Sequence, residues 1–329
     1  VFATKGHMLS WAVFFAGILQ LIFLFYGIIK NKFYIFFPKP KYTNKIKKFF
    51  KLIIPGAIGA GVIQINLLID VILASFLPTG SVSYLYYAER INQLPIALIG
   101  VAIGTALLPT LSQQISSNKN KEANYTQNRA LGFSILLTLP AAIAIFILAN
   151  PIISCFFERG EFISQDRILA AKALQAFAVG IPAYVFVKVL IPAFFARQNT
   201  VTPMKIASFC VLINFLLNII LMQYYQHVGI AMATAIASWT NAFLLFLVLY
   251  KSKQIEIDEK LKKLVSKVTI ISIIFGYIVF SFKDLIDISS DYKLFYLIIF
   301  VLIGIFLFGI LCLFFRAINL LDIKLIKEK

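Results

Sequence analysis

Nine stretches of this chain are each long and apolar enough to cross a lipid bilayer, and no other property limits its fold as severely. A hydrocarbon core about 30 Å thick takes about 20 mainly apolar residues per helix. Such runs fall at 8–29, 52–77, 82–108, 130–149, 170–195, 205–222, 228–250, 266–282 and 293–315. In lipid every backbone N–H and C=O must find a partner within the structure, which leaves helices or a closed barrel. The runs are too long for barrel strands and lack their apolar–polar alternation, so the predicted class is an all-α polytopic membrane protein. Composition agrees, because only 14% of the 329 residues are charged, against about 25% in soluble domains. With 33 Phe against 16 Gly and 11 Pro, disorder and collagen-like structure are excluded as well.

The net charge of +17 raises the question of nucleic acid, and the placement of the cations answers it. If the loops after spans one, three, five and seven and the C-terminal tail share a side, that side holds 23 of the 31 Lys and Arg residues. The other side holds five, namely Lys5, Arg159, Arg167, Lys283 and Lys293, and Arg90, Lys172 and Lys188 lie within spans. Basic loops stay cytoplasmic, so the N-terminal end is expected outside and the C-terminus in the cytoplasm, with membrane lipids rather than nucleic acid as partners. The segment from Lys30 to Lys51 carries eight lysines, no acid and interleaved aromatics, suited to an anionic leaflet. Cys155, Cys210 and Cys312 are isolated, and His7 and His227 have no ligand spacing around them, so neither a disulfide framework nor a transition-metal motif is expected. The first residue is Val1, and no signal peptide follows it; the chain reads as one whose beginning is missing.

Ionisable groups inside spans are costly and rare. Asp70, Glu89, Arg90 and Lys188 lie well inside, while Lys172 is near an outer end and can snorkel. Lys188 is about 10 Å from the inner end at 1.5 Å per residue, suiting either snorkelling or a cavity. Asp70 and Arg90 flank the Pro78-Thr79-Gly80-Ser81 turn at a common depth of about 12 Å, so a buried ion pair fixing the hairpin is one reading. The other is a water-filled cavity, because Tyr84, Tyr86, Tyr87, Glu89, Arg90, Asn92 and Gln93 make one helix too polar for lipid. There Arg90 would offer a fork of donors suited to phosphate. Asn214 and Asn218 share a helix face, and with Thr234 they lie in the layer of Asp70. Such oxygens suit sodium, by the preference of hard cations for oxygen ligands, or serve as interhelical hydrogen-bond glue. Pro55, Pro95, Pro140, Pro182 and Pro192 fall within spans, and Gly100 and Gly104 form a GxxxG, which suits a bundle that moves. No phosphate-binding loop, nucleophile elbow or zinc motif is present, so an enzyme is not expected.

Residues 74–112, Ala-Ser-Phe-Leu-Pro-Thr-Gly-Ser-Val-Ser-Tyr-Leu-Tyr-Tyr-Ala-Glu-Arg-Ile-Asn-Gln-Leu-Pro-Ile-Ala-Leu-Ile-Gly-Val-Ala-Ile-Gly-Thr-Ala-Leu-Leu-Pro-Thr-Leu-Ser, closely resemble the signature of the MviN/MurJ lipid II flippase family. Phe157-Glu-Arg-Gly-Glu-Phe162 resembles a loop of that family, and Phe194-Phe-Ala-Arg-Gln-Asn-Thr-Val-Thr-Pro203 its loop after the tenth helix. The resemblance implies a fourteen-helix bundle of the multidrug/oligosaccharidyl-lipid/polysaccharide exporter superfamily, here lacking the first five helices. On that map residues 1–51 are the last helix of the first lobe with a basic linker, 52–250 the second six-helix lobe, and 251–329 two groove helices with a tail. Arg90 then resembles the arginine that engages the pyrophosphate of the substrate, with Glu89 where the family often has Asp and Gln93 at a position acidic in some members. Asp70, Asn214, Asn218 and Thr234 resemble a sodium site, Asn218 standing in place of an acid. The implied activity is flipping of lipid II, an undecaprenyl-pyrophosphate-linked peptidoglycan precursor, across the bacterial inner membrane by alternating access, with cell-wall synthesis proteins as neighbours. The alternatives are an exporter of another lipid-linked saccharide or drug-like substrate, and a non-transporting scaffold or inactive fragment.

Overall fold

The computed structural model describes residues 5–31, 43–286, 290 and 292–317; most of the basic linker and the tail beyond Ala317 lie outside them. Two compact units comprise residues 1–48 and 49–329. The first contains α1 (Lys5–Lys30), apolar and long enough to span, and the start of α2 (Asn44–Ser75). In the second, α2 leads through a turn into α3 (Ser81–Pro95), a π-helical segment (Ile96–Val101) and α4 (Ala102–Ser116). There follow α5 (Asn120–Ile147), α6 (Ala149–Phe157), α7 (Ser164–Phe195), α8 (Val201–Lys251), α9 (Glu259–Phe282) and α10 (Lys293–Phe314). Among the described residues there is no strand, and eight helical runs can cross a membrane.

The longest of them, α8, contains two spans. Gln226 takes φ 51° and ψ −133°, and Asn214 and Thr234, twenty residues apart, come within 3.2 Å. Twenty residues of straight helix cover about 30 Å, so the chain must reverse. The arms meet so closely that a Cβ on Gly229 would lie 2.3 Å from the Leu221 carbonyl oxygen, which restricts this position to glycine. The expected spans 205–222 and 228–250 are these two arms.

Three expected boundaries shift for local reasons. The third span continues to Ser116 as one 36-residue run, rewound after Pro95, which lacks the N–H that a regular ladder needs. The fourth begins at Asn120, because its first, polar turns are helical without being apolar. Residues past its expected end form α6, whose Ile152 and Ile153 are buried against the core.

α7 is the centre of the lobe, packing against α3, α5 and α8. Ala170, Ala173, Ala178 and Ala183 on it are fully buried, and small residues let helix backbones approach where water supplies no driving force. The GxxxG reaches the same helix: a Cβ on Gly104 would stand 2.8 Å from the Lys188 carbonyl oxygen. α9 lies on α5, and α10 packs against α9 and α6. Loop residues tie the last helix pair to the lobe at both ends. At the basic end Asn124 and Asn128 donate to the Glu256 carbonyl at 3.0 and 2.7 Å.

At the opposite end Glu158 accepts two bonds from Arg167 Nη1 at 2.9 Å, one from Ser164 at 3.0 Å and one from Ser154. Lys293, at the start of α10, lies 4.0 Å from the same carboxylate and donates to Ser154 Oγ at 3.4 Å. Burial pushes the Glu158 carboxyl up, but the bonds from Ser154, Arg167 and Ser164 and the Arg167 charge outweigh it and hold it below the usual range.

Gly104→Ala in the full-length protein is expected to lose about 1–3 kcal/mol through forced separation of α4 from α7. Gly309→Ala, with open space around it, is expected to be neutral. Thermal unfolding in detergent, followed by intrinsic fluorescence, compares them; equal stability of both variants would refute the close packing. Because the Glu158 pKa is depressed on folding, its contribution is complete above the ordinary carboxylate range and lost as pH falls through the folded value. Unfolding temperature should therefore drop on acidification, and Glu158→Gln should flatten that limb.

Candidate functional site

Two polar groups interrupt the apolar bundle, and the structure keeps them apart. The first rests on α3. Arg90 is exposed, its guanidinium 4.6 Å from the centroid of the Tyr86 ring, and its Nη1 donates to Gln93 Oε1 at 3.3 Å. Gln93 Nε2 in turn donates to Glu89 Oε1 at 2.9 Å. Helical spacing creates this chain, since residues three and four apart are neighbours on the surface. Gln93 thus stands between the two charges, accepting from the cation and donating to the anion. Arg90 uses one of its five N–H donors on Gln93, which leaves most of the fork for a planar anion.

The second group joins α2 to both arms of α8. Asp70 Oδ1 accepts from Asn218 Nδ2 at 2.7 Å, and Oδ2 lies 3.3 Å from Asn66 Nδ2 and 3.2 Å from Thr234 Oγ1. Asn218 Nδ2 also lies 2.9 Å from Asn214 Oδ1, and both asparagines are buried. The amide of Asn214 is better satisfied turned over, with nitrogen 3.0 Å from Asn66 Oδ1 and 3.1 Å from Asp70 Oδ1 and oxygen 3.2 Å from Thr234 Oγ1. One acceptor, Asn218 Oδ1, is buried with no partner. Proximity of Asp70, Asn214, Asn218 and Thr234 follows from the hairpin reversal at Gln226. Asn66 belongs to the same knot, and its i, i+4 relation to Asp70 is the sign in the sequence that could have found it.

The ion pair between Asp70 and Arg90 that their common depth allowed is not formed. Among the described residues each has neutral partners instead, because Asp70 turns toward α8 and Arg90 toward the open face of α3. Lys188 is exposed on α7, its stem running beside Gly100. Lys172 is also exposed, on the rim of a cleft beside Tyr224 and Gln226. His227 is buried, its Nε2 3.0 Å from the Leu169 carbonyl and its ring 5.3 Å from Tyr84. Tyr84 donates to Asp166 at 2.6 Å, so these residues lock α3, α7 and α8 together at one end. Among the described residues no cluster of three His, Cys, Asp or Glu side chains could hold a metal ion.

The site is thus a helical membrane bundle with a guanidinium on an open face of α3 and a carboxylate knotted to amides between α2 and α8. The fold is shared: the outward-facing structure of a multidrug resistance MATE family transporter of the MOP superfamily aligns with a TM-score of 0.57 at 17% identity. That alignment covers 84% of this chain and 65% of the other, and at such identity it speaks for the fold alone. A solved lipid II flippase MurJ in an inward closed conformation aligns with a TM-score of 0.70 at 32% identity, over 90% of this chain and 60% of that one. The family model described as lipid II flippase MurJ matches residues 1–306. The probable lipid II flippase MurJ of Rhizobium tropici is 38% identical over 276 residues, 84% of this chain and 52% of the relative. That of Rickettsia prowazekii (strain Madrid E) is 39% identical over 276 residues, 82% of this chain and 54% of the relative. The chain belongs to the lipid II flippase MurJ family, and it spans about half the length of these curated relatives.

Proposed function

We propose that the protein carrying this sequence flips lipid II, an undecaprenyl-pyrophosphate-linked precursor, from the cytoplasmic to the periplasmic leaflet of the bacterial inner membrane by alternating access. The observation that carries the reading is Arg90, exposed in the middle of a membrane helix and held by a ring face and an amide. Among the described residues the cation has no carboxylate partner at that depth, which suits a substrate that brings its own negative charge. Arg90 receives the pyrophosphate, while Gln93 fixes the guanidinium and holds Glu89 away from it. Residues 52–250 form the lobe that moves, residues 1–51 belong to the preceding lobe with its linker, and 251–329 form the groove pair and a cytoplasmic tail. No bond of the substrate is made or broken, so the protein is a transporter and not an enzyme, with cell-wall synthesis proteins as its neighbours. The membrane potential favours outward movement of an anion by about 2.3 kcal/mol per charge per 100 mV.

Sodium fits the knot as coupling ion. Asp70 supplies the charge and Thr234 and Asn214 neutral oxygens of the kind hard cations take, while Asn66 and Asn218, whose nitrogens face Asp70 here, would supply theirs once turned over. Turning the Asn218 amide over would present its idle Oδ1 to the Asp70 carboxylate, an arrangement of two oxygens that repels unless a cation or proton stands between them.

Complementation of a strain depleted of its lipid II flippase tests the first reading: the full-length gene is expected to rescue growth, and Arg90→Ala, at equal membrane abundance, to fail. Arg90→Lys should rescue poorly, for want of bidentate geometry; full rescue by Arg90→Ala would remove Arg90 from the substrate path. For the ion, sodium in place of potassium at constant ionic strength should raise the unfolding temperature of the full-length protein and leave Asp70→Asn unmoved. The same response from both proteins would mean that sodium acts elsewhere.

A further inference from the structure

At the end of the bundle where lysine and arginine collect, α5, α9 and the C-terminus of α10 enclose a cavity of about 180 Å3 lined by Arg129, Lys260, Lys263, Lys267 and Arg316. Asp258 is the acid among the described residues of its wall, and its Oδ1 accepts from Leu261 N at 2.6 Å, capping α9. That carboxylate is committed to the helix end. Lys267 donates to the carbonyls of Phe315 and Arg316 at 3.0 and 3.2 Å, closing the end of α10, and the Arg129 guanidinium lies 4.9 Å from the centroid of the Tyr125 ring. Lys260 and Lys263 of α9 and Arg316 of the turn after α10 gather around the same cavity, to which the N-terminus of α9 adds its partial positive charge. Like charges held together in this way call for an anion.

The surroundings decide which anion. The apolar part of α9 starts at Leu264 and that of α5 at Ala130, so the cations stand at head-group depth. Phe133, Leu136 and Leu264 line the cavity on its apolar side, and Phe133 remains 38% exposed. A free anion would use only the charged part, whereas a lipid uses both. The walls are fixed independently of any ligand, since Asn128 bonds the Glu256 carbonyl at 2.7 Å and the Asp258 N–H at 3.3 Å.

We infer that this cavity binds the phosphodiester of an anionic glycerophospholipid, with an acyl chain along Phe133 and Leu264, and so pins α9 and α10 to the lobe. The site is separate from Arg90 and does not depend on the flipping reading.

Full-length protein in neutral detergent, titrated with dioleoylphosphatidylglycerol, should show a saturable rise of several degrees in unfolding temperature, with none from dioleoylphosphatidylcholine. The triple variant Lys260→Gln, Lys263→Gln, Arg316→Gln should keep its lipid-free unfolding temperature and lose most of that rise, while Lys260→Arg with Lys263→Arg should retain it. An undiminished rise in the triple variant would overturn the site. An equal rise from inorganic phosphate alone would replace the lipid by a free anion, and displacement of phosphatidylglycerol by lipid II at equimolar concentration would assign the cavity to the substrate; either outcome overturns the proposal.

Discussion

An unsatisfied polar group in hydrocarbon costs several kcal/mol, and the structure can be followed from that penalty outward. It requires helices, it sets their length, and it pushes most irregular backbone to the ends of spans. The reversal at Gln226 is at such an end, beside the buried His227 whose ring bonds the Leu169 carbonyl. The exception within a span is the rewound segment Ile96–Val101, which stays helical and so loses few backbone bonds. Because lipid is as apolar as leucine, the helices are held by close contact of small residues rather than by a hydrophobic gain. Hence the alanines of α7 and the approach of Gly104 to the Lys188 carbonyl determine where α3, α4 and α7 stand, and with them the direction in which Arg90 faces.

Much of this architecture was legible in the sequence, for a physical reason. Hydropathy reports what lipid must accept, and that is a property of each run alone. The nine spans and the common layer of Asp70, Asn214, Asn218 and Thr234 followed from counting residues along helices. What counting could not give was azimuth. Depth put Asp70 and Arg90 level, yet whether they meet depends on how α2 and α3 turn about their own axes, and packing against α8 decides that. Asn66 was missed for a related reason, since an uncharged asparagine in a span attracts no notice until a carboxylate one turn away is seen to face α8. The boundaries of α5 and α6 were hidden because helix formation and immersion in lipid are different properties.

The last helix pair is held at both ends by polar bonds. Glu158, Arg167, Ser154 and Lys293 secure one end of α10, and the asparagines of α5 secure the linker into α9 at the other. Charged and amide bonds are strong at the interfaces, where helices can be fixed in register. Between those ends the contact is close and apolar: a Cβ on Gly276 would stand 2.7 Å from Ile143 Cγ2.

The separation of Asp70 from Arg90 bears most directly on what the bundle is for. If stability alone were at stake, two opposite charges at one depth on adjacent helices would be paired, because an unpaired ion in lipid is the costlier state. Instead three neutral donors surround the carboxylate, and a tyrosine face and a glutamine hold the guanidinium. Neutral partners satisfy hydrogen bonds without cancelling charge, whereas a salt bridge would do both. The arrangement therefore keeps one negative and one positive centre from pairing with each other, each able to take an ion of its own choosing. On the proposed function the pyrophosphate and the coupling cation would occupy them, and the turn joining α2 to α3 obliges any movement of the lobe to carry the two centres together.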